Sequence, residues 1–319
     1  MAEDQLLEAF DSRVKRRSER REFFKAAIGA AAIGATTLVV TQEAFAQTVT
    51  DADILNFALN LEYLEAQFYA YAAGGAGLAA SLLGTSPGAV TATNARRVDN
   101  LDSDPLVRDY AREIAADEVA HVTFLRAQLG TTAVVQPAID ISATATSPFS
   151  NAARAAGLIG AGATFDPYSS PENFLLGAFL FEDVGVTAYK GAAPMILNRT
   201  YVEAAAGIMA VEAYHAAIIR TALYAKGVAT PSLRTSADAI SNARDSLDGT
   251  TTDLDQGISP TTINGGAASN IAPLDADGLA YARSTGQVLN IVYLNNAAVT
   301  SGGFFPAGVN GNIKTSAAN

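Results

Sequence analysis

The chain has 319 residues, 49% of them apolar and 17% charged, which suits a globular protein with a sizeable core and not a disordered polymer. A net charge of -11 argues against a nucleic-acid partner, because an acidic surface repels the phosphate backbone. Cysteine is absent, so disulfides, thiolate metal ligands and cysteine nucleophiles are excluded together.

In chain order, residues 1–46 read as an export signal and not as fold. Arg20 and Arg21 precede Phe23, Phe24 and Lys25, a weakly apolar run of small residues follows, and Ala44-Phe45-Ala46 forms a small-x-small cleavage site. This pattern resembles a twin-arginine signal cut after Ala46, although Glu19 stands where Ser or Thr is usual. The run from Ala26 to Val40 is short for a membrane span of about 20 residues, so no stable membrane insertion is expected after cleavage. The signal carries equal numbers of acids and bases, and the rest of the chain keeps the whole net charge.

Four long helices are predicted next, over Asp51 to Ala73, Asp104 to Leu129, Pro171 to Ala193 and Asn198 to Lys226. Pro105 and Pro171 suit first-turn positions, and Gly74, Gly130 and Gly227 read as stops. The last two helices are joined by a few residues, whereas Thr131 to Ser170 is rich in Ala, Ser, Thr, Gly and Pro and suits a crossover along a bundle. The expected fold is therefore all-α, a four-helix bundle over 47–227. Residues 228–319 form a C-terminal extension with short helices near Ser236 to Leu247 and Ser284 to Leu294. Its "GGFFPAGVNGNI" ending carries two adjacent phenylalanines and is expected to pack on the bundle.

The chain holds only two histidines, and each follows a glutamate by three residues: Glu118 with His121, Glu212 with His215. Glutamates are few enough that a given histidine has one at that offset by chance about 4% of the time, so the repetition carries information. A lone histidine on an apolar helix is more often a packed residue than a ligand. Three residues apart on a helix, however, a carboxylate and an imidazole face the same side and can meet one ion. The other two long helices repeat a second pattern, Glu62 with Tyr69 and Glu182 with Tyr189, about two turns apart on one face. The resulting order of Glu, Glu-x-x-His, Glu, Glu-x-x-His, one element per helix, is the ligand set with which carboxylate bundles hold two iron or two manganese ions. Glu65 shares a face with Glu62 and competes with it as a ligand. Asp117 is placed to hydrogen-bond a liganding histidine, and a solvated acid would read the same. Tyr69 and Tyr189 are candidate donors behind the ligands or ordinary buried tyrosines.

On these residues the region from Asp51 to Lys226 resembles the ferritin-like superfamily, and its Glu-to-Tyr spacing is similar to that of rubrerythrin and its relatives. The signal, the bundle and the "GGFFPAGVNG" ending together are similar to exported ferritin-like proteins related to plant desiccation-related proteins. The resemblance implies metal ligands Glu62, Glu118, His121, Glu182, Glu212 and His215, with Glu118 and Glu212 bridging and a histidine capping each ion. It implies two Fe or two Mn ions, with Zn admitted by the same donors. It also implies a periplasmic or extracellular oxidoreductase acting on peroxide, O₂ or ferrous iron, with a small-molecule oxidant or metal ion as partner. A homo-oligomer is compatible with this reading. No individual catalytic residue is assigned. The other reading is a structural, stress-protective protein whose metal site only holds the bundle together. Rubrerythrin's cysteine-ligated electron-delivery domain has no counterpart in a chain without cysteine, so any peroxidase activity needs an external reductant.

Overall fold

The computed structural model describes residues 49–249 and 253–319. The expected twin-arginine segment lies outside the described residues. Helix α1 (Asp51–Gly74) starts at a capping box between Thr50 and Asp53 and ends on Gly75 in the left-handed conformation. Helix α2 (Pro105–Leu129) opens on Asp104, whose side chain accepts from the Val107 amide, with Pro105 in the first turn. After α3 (Pro148–Ala155) come α4 (Pro171–Ala192), capped by Ser170, and α5 (Arg199–Ala229), capped by Asn198. Helices α6 (Ser232–Asp248) and α7 (Thr285–Tyr293) follow. The described strands are two or three residues long: β1 (Val90–Thr91) pairs in parallel with β2 (Ile139–Asp140), and β3 (Thr261–Ile263) pairs antiparallel with β4 (Gly266–Ala268). The fold is all-α.

Contacts at the helix ends give the directions. The Val98 amide, just before α2, donates to Ala72 at the end of α1, and the Asn56 side chain near the start of α1 reaches the Thr132 carbonyl just past α2. Lys226 near the end of α5 bonds Asp104 at 2.6 Å and Glu172 at 2.7 Å, at the starts of α2 and α4. Helices α1 and α5 therefore run one way, and α2 and α4 the other. A parallel α2 and α4 require a connection that returns along about 37 Å of helix. Residues 131–170 make that return, adding β2 beside β1 on the way.

None of the predicted helices falls within the crossover, but α3 interrupts it. Ser147 caps this eight-residue helix and Pro148 occupies its first turn, so the start signal was present in "TSPFSN". Its small-residue composition hid the rest. Gly227 also fails to stop α5, which continues to Ala229. A Cβ at Gly227 would sit 3.0 Å from Cδ and Nε of Arg234 and overlap its Cγ, so this glycine makes room for a neighbour.

Helices α1 and α4 are wrapped on nearly every side. Residues 54–69 of α1 and 174–185 of α4 are buried without a break, whereas α2 and α5 bury one stripe each. The additional cover comes from the crossover and the C-terminal residues. Phe304 packs edge-on against Phe149 and Phe181 with ring centroids 5.0 and 4.9 Å apart. The Asn60 amide donates to the Asn310 carbonyl and accepts from its N–H, both at 2.9 Å. A buried chain of charges joins α4 and α5 to residues 244–283: Asp183 meets Arg220 at 2.8 Å and Arg244 at 3.0 Å, Arg244 meets Asp255, and Arg283 meets Asp255 and Asp248. Residues 49–319 form one compact unit. Helix α5 is apolar and long enough to cross a bilayer, yet it turns Glu212, His215 and Arg220 inward and serves as a bundle helix.

Candidate metal centre

Each of the four long helices turns its acid or its acid and imidazole into the bundle axis. Glu62, Glu118, Glu182 and Glu212 are at most 1% exposed, His215 is 2% and His121 7% exposed. Donor atoms of Glu62, Glu118, His121 and Glu212 all lie within 4.8 Å of one another, and those of Glu182, Glu212 and His215 do so as well. Glu212 belongs to both groups. Glu118 also faces both imidazoles, with Oε2 3.7 Å from His121 Nδ1 and Oε1 3.2 Å from His215 Nδ1. The six side chains named from the sequence thus converge, and Glu118 and Glu212 stand between the two histidines.

The surroundings of these donors are polar and specific. His121 Nδ1 lies 3.1 Å from Glu62 Oε2 and 3.5 Å from Glu212 Oε1. His215 is oriented from behind by Asp117, whose Oδ2 is 3.1 Å from Nε2 and leaves Nδ1 facing inward. The residue that corresponds to Asp117 in the other half, before Glu212, is Val211, which has no side-chain acceptor to offer His121. The tyrosines cross the bundle: Tyr69 on α1 donates to Glu182 on α4, and Tyr189 on α4 donates to Glu62 on α1. Seven-residue spacing placed each tyrosine on the face of its own helix's glutamate, but two turns separate them along the axis, and the opposite helix supplies the nearer carboxylate.

Burial and mutual repulsion set the ionisation. Burial and the Glu118 charge push Glu62 up to about 7 against the pull of His121, and burial pushes Glu182 up to about 8. Burial and four neighbouring carboxylates hold Glu212 well above the usual range. Burial also opposes ionisation of Glu118, but the two imidazoles beside it outweigh that and bring the group down to about 2. Burial works against charging the imidazoles too, yet the glutamates beside them raise His121 to about 11 and His215 to about 9. Glu65 is buried and pushed well up by burial and by Glu118, Glu182 and Glu62. It lies outside both donor groups, whereas Glu62 lies within one.

Both oxygens of Glu118 and Glu212, one of Glu182, and Nδ1 of His215 are buried without a hydrogen-bond partner. Unpaired polar atoms in such number are costly unless a cation satisfies them, and four glutamates match the charge of two divalent ions. The donor set therefore fits a metal pair. Gly185 fits as well, although it was not singled out in the sequence. One turn beyond Glu182, a Cβ there would stand 3.1 Å from the Glu212 carboxyl carbon and overlap its Oε2. A glycine three residues after a ligand in mid-helix was the available signal.

A bundle with this topology and a buried Glu/His cluster at its middle defines a carboxylate metal protein. The family model described as "Ferritin-like domain" matches residues 50–225, and the chain belongs to this ferritin-like family. Among curated proteins it is 30% identical over 275 residues to the ferritin-like catalase Nec2 of Nesocodon mauritianus, covering 82% of this chain and 84% of that protein. It is 33% identical over 178 residues to the desiccation-related protein PCC13-62 of Craterostigma plantagineum, covering 55% and 53%. No solved structure gives a significant match.

Proposed function

We propose that this chain is an exported di-metal oxidoreductase whose substrate is hydrogen peroxide, which it disproportionates to O₂ and water. The observation that carries the reading is the pair of overlapping donor groups, which share Glu212 and keep all six side chains in place. Likeness to a ferritin-like catalase over most of both chains supports peroxide over ferrous iron. Disproportionation also needs no separate reductant, which suits a chain without cysteine.

A pair of iron or manganese ions would supply the two-electron change that peroxide cleavage and oxidation require. Glu62, Glu118, His121 and Glu212 would hold one ion, and Glu182, Glu212 and His215 the other, with Glu118 reaching both. Tyr69 and Tyr189, whose phenols burial keeps protonated, steer the Glu182 and Glu62 carboxylates by donating to one oxygen of each. Asp117 fixes the His215 ring. Glu65 holds a proton beside the cluster.

The test is to load metal-free protein with manganese or with iron and follow peroxide loss together with O₂ release. One O₂ for every two peroxides supports the reading. Ferrous oxidation without O₂ release replaces it with a ferroxidase. A second reading, stress protection by a metal-stapled bundle, draws support from the likeness to a desiccation-related protein. It is favoured if metal raises stability and neither substrate turns over. Export is part of the proposal: the mature protein from a host with a twin-arginine pathway begins at Gln47, and Arg20→Lys with Arg21→Lys leaves it uncut in the cytoplasm.

A further inference from the structure

Helix α4 keeps a glycine at its centre, although nothing in its backbone asks for one. Gly185 has no positive φ and lies in the middle of a 22-residue helix, where glycine costs roughly 0.5–1 kcal/mol relative to alanine. What it provides is space, and the space is filled by a ligand. A Cβ at this position would overlap Oε2 of Glu212 and come within 3.1 Å of Cδ and 3.7 Å of Cγ. Those are the three nearest heavy atoms, and anything else lies at 3.7 Å or beyond, in ordinary contact, so the main chain of α5 is not what demands the glycine.

The two halves of the bundle differ here in a telling way. Glu62 and Tyr69 of α1 correspond to Glu182 and Tyr189 of α4, so the α1 counterpart of Gly185 is Glu65. The two residues border the same small void between the helices. On the α1 side the position is occupied by a buried acid. On the α4 side it is hollow, and the Glu212 carboxylate leans into the hollow with both oxygens unpaired. Glu212 is also the residue shared by the two donor groups. If it were displaced, the second group would keep only Glu182 and His215 of its three members.

We infer that Gly185 is the positioning residue that makes the centre dinuclear: its missing side chain lets the Glu212 carboxylate stand between the two donor groups. A methyl group at this position pushes that carboxylate away and leaves a site for one ion. The inference rests on the metal-binding reading above and adds which residue sets the ion count. It also explains why the change is tolerable to the fold, since only the end of a flexible side chain must move.

The experiment measures bound metal and not turnover. Full-length mature protein is stripped, titrated with Co(II), and followed by equilibrium dialysis with elemental analysis, by visible absorption, and by magnetic coupling in the EPR spectrum. The wild type is expected to take two ions, which couple. Gly185→Ala is expected to take one, uncoupled, with unchanged helical content. Gly185→Ala with Glu212→Asp shortens the acid by one methylene and is expected to bring back the second ion. Gly207→Ala, where a Cβ meets nothing within 4 Å, should match the wild type. Two coupled ions in Gly185→Ala overturn the inference. Fewer than two in the wild type overturn the dinuclear reading instead. Should Gly185→Ala not fold, the double variant decides: two ions support the steric argument, and one ion refutes it.

Discussion

Removing or adding metal should move protons in a number set by the charge of the site. At pH 7 the metal-free centre carries protons on His121, raised to about 11, and on His215, raised to about 9. It also holds one on Glu212, most of one on Glu182 at about 8, and about half of one on Glu62 at about 7, while Glu118 at about 2 is ionised. Liganding strips all of these, so filling the site releases about four protons for two divalent ions, and the buried charge stays nearly constant. By linkage, the combined affinity for the two ions then rises about four decades per pH unit near neutrality. Calorimetric titration with Mn(II) in two buffers of the same pH and different ionisation enthalpies gives the proton count directly. Release of one proton or none would refute the reasoning, since it would mean binding at already ionised surface carboxylates.

The same shifts set the stability of the metal-free form. The raised groups, Glu62, Glu182, Glu212 and both histidines, contribute stability that is fully present below their unfolded values and is lost as pH rises through their folded ones. Glu118 works in the opposite sense, and its contribution is lost only as pH falls toward 2. Metal-free protein should therefore lose thermal stability from about pH 5 to pH 9, while loaded protein is protected over that range. Thermal unfolding with and without chelator measures both curves.

Five substitutions separate the roles of individual residues. Glu118→Gln removes a carboxylate facing both imidazoles and should bring bound metal below one ion per chain by elemental analysis. Glu62→Gln should also lose metal, whereas Glu65→Gln should keep both ions, because only Glu62 stands in a donor group. Tyr69→Phe leaves a Glu182 oxygen without its donor and should cost about 1.5–3 kcal/mol in denaturant unfolding. Arg283→Met leaves Asp248 and part of Asp255 unpaired in the interior and should cost about 3–5 kcal/mol, a fall in Tm of roughly 10 °C.

The long helices and the donor set were legible in the sequence because both are written in local spacing. Periodic apolar residues with Asp104, Pro105, Ser170 and Pro171 at the starts mark the helices. Offsets of three and seven residues place Glu118 with His121 and Glu62 with Tyr69 on common faces. What local spacing does not encode is which side chain of another helix each group meets. The crossed pairs of Tyr69 with Glu182 and Tyr189 with Glu62 depend on packing between the halves. So does the chain of buried charges from Asp183 to Asp248, in which Arg220, Arg244 and Arg283 meet acids on other segments of the chain. Gly227 was misread for a similar reason, since its use is the approach of Arg234 from α6 and not the end of α5.

These contacts between helices also decide which measurement can tell an enzyme from a stapled bundle. Tyr69 with Glu182, Tyr189 with Glu62, His121 with Glu62 and Glu212, and His215 with Asp117 and Glu118 each join two different helices. An ion held by Glu62, Glu118, His121 and Glu212 would tie three helices at once, so it must raise stability whatever else it does. A rise in Tm on loading is therefore common to both readings and carries no weight between them. Their difference lies in whether the pair of ions exchanges electrons with a substrate. Measured together on one loaded sample, O₂ released per peroxide and the rise in Tm would show whether the site is used only to hold the helices or also to turn over peroxide.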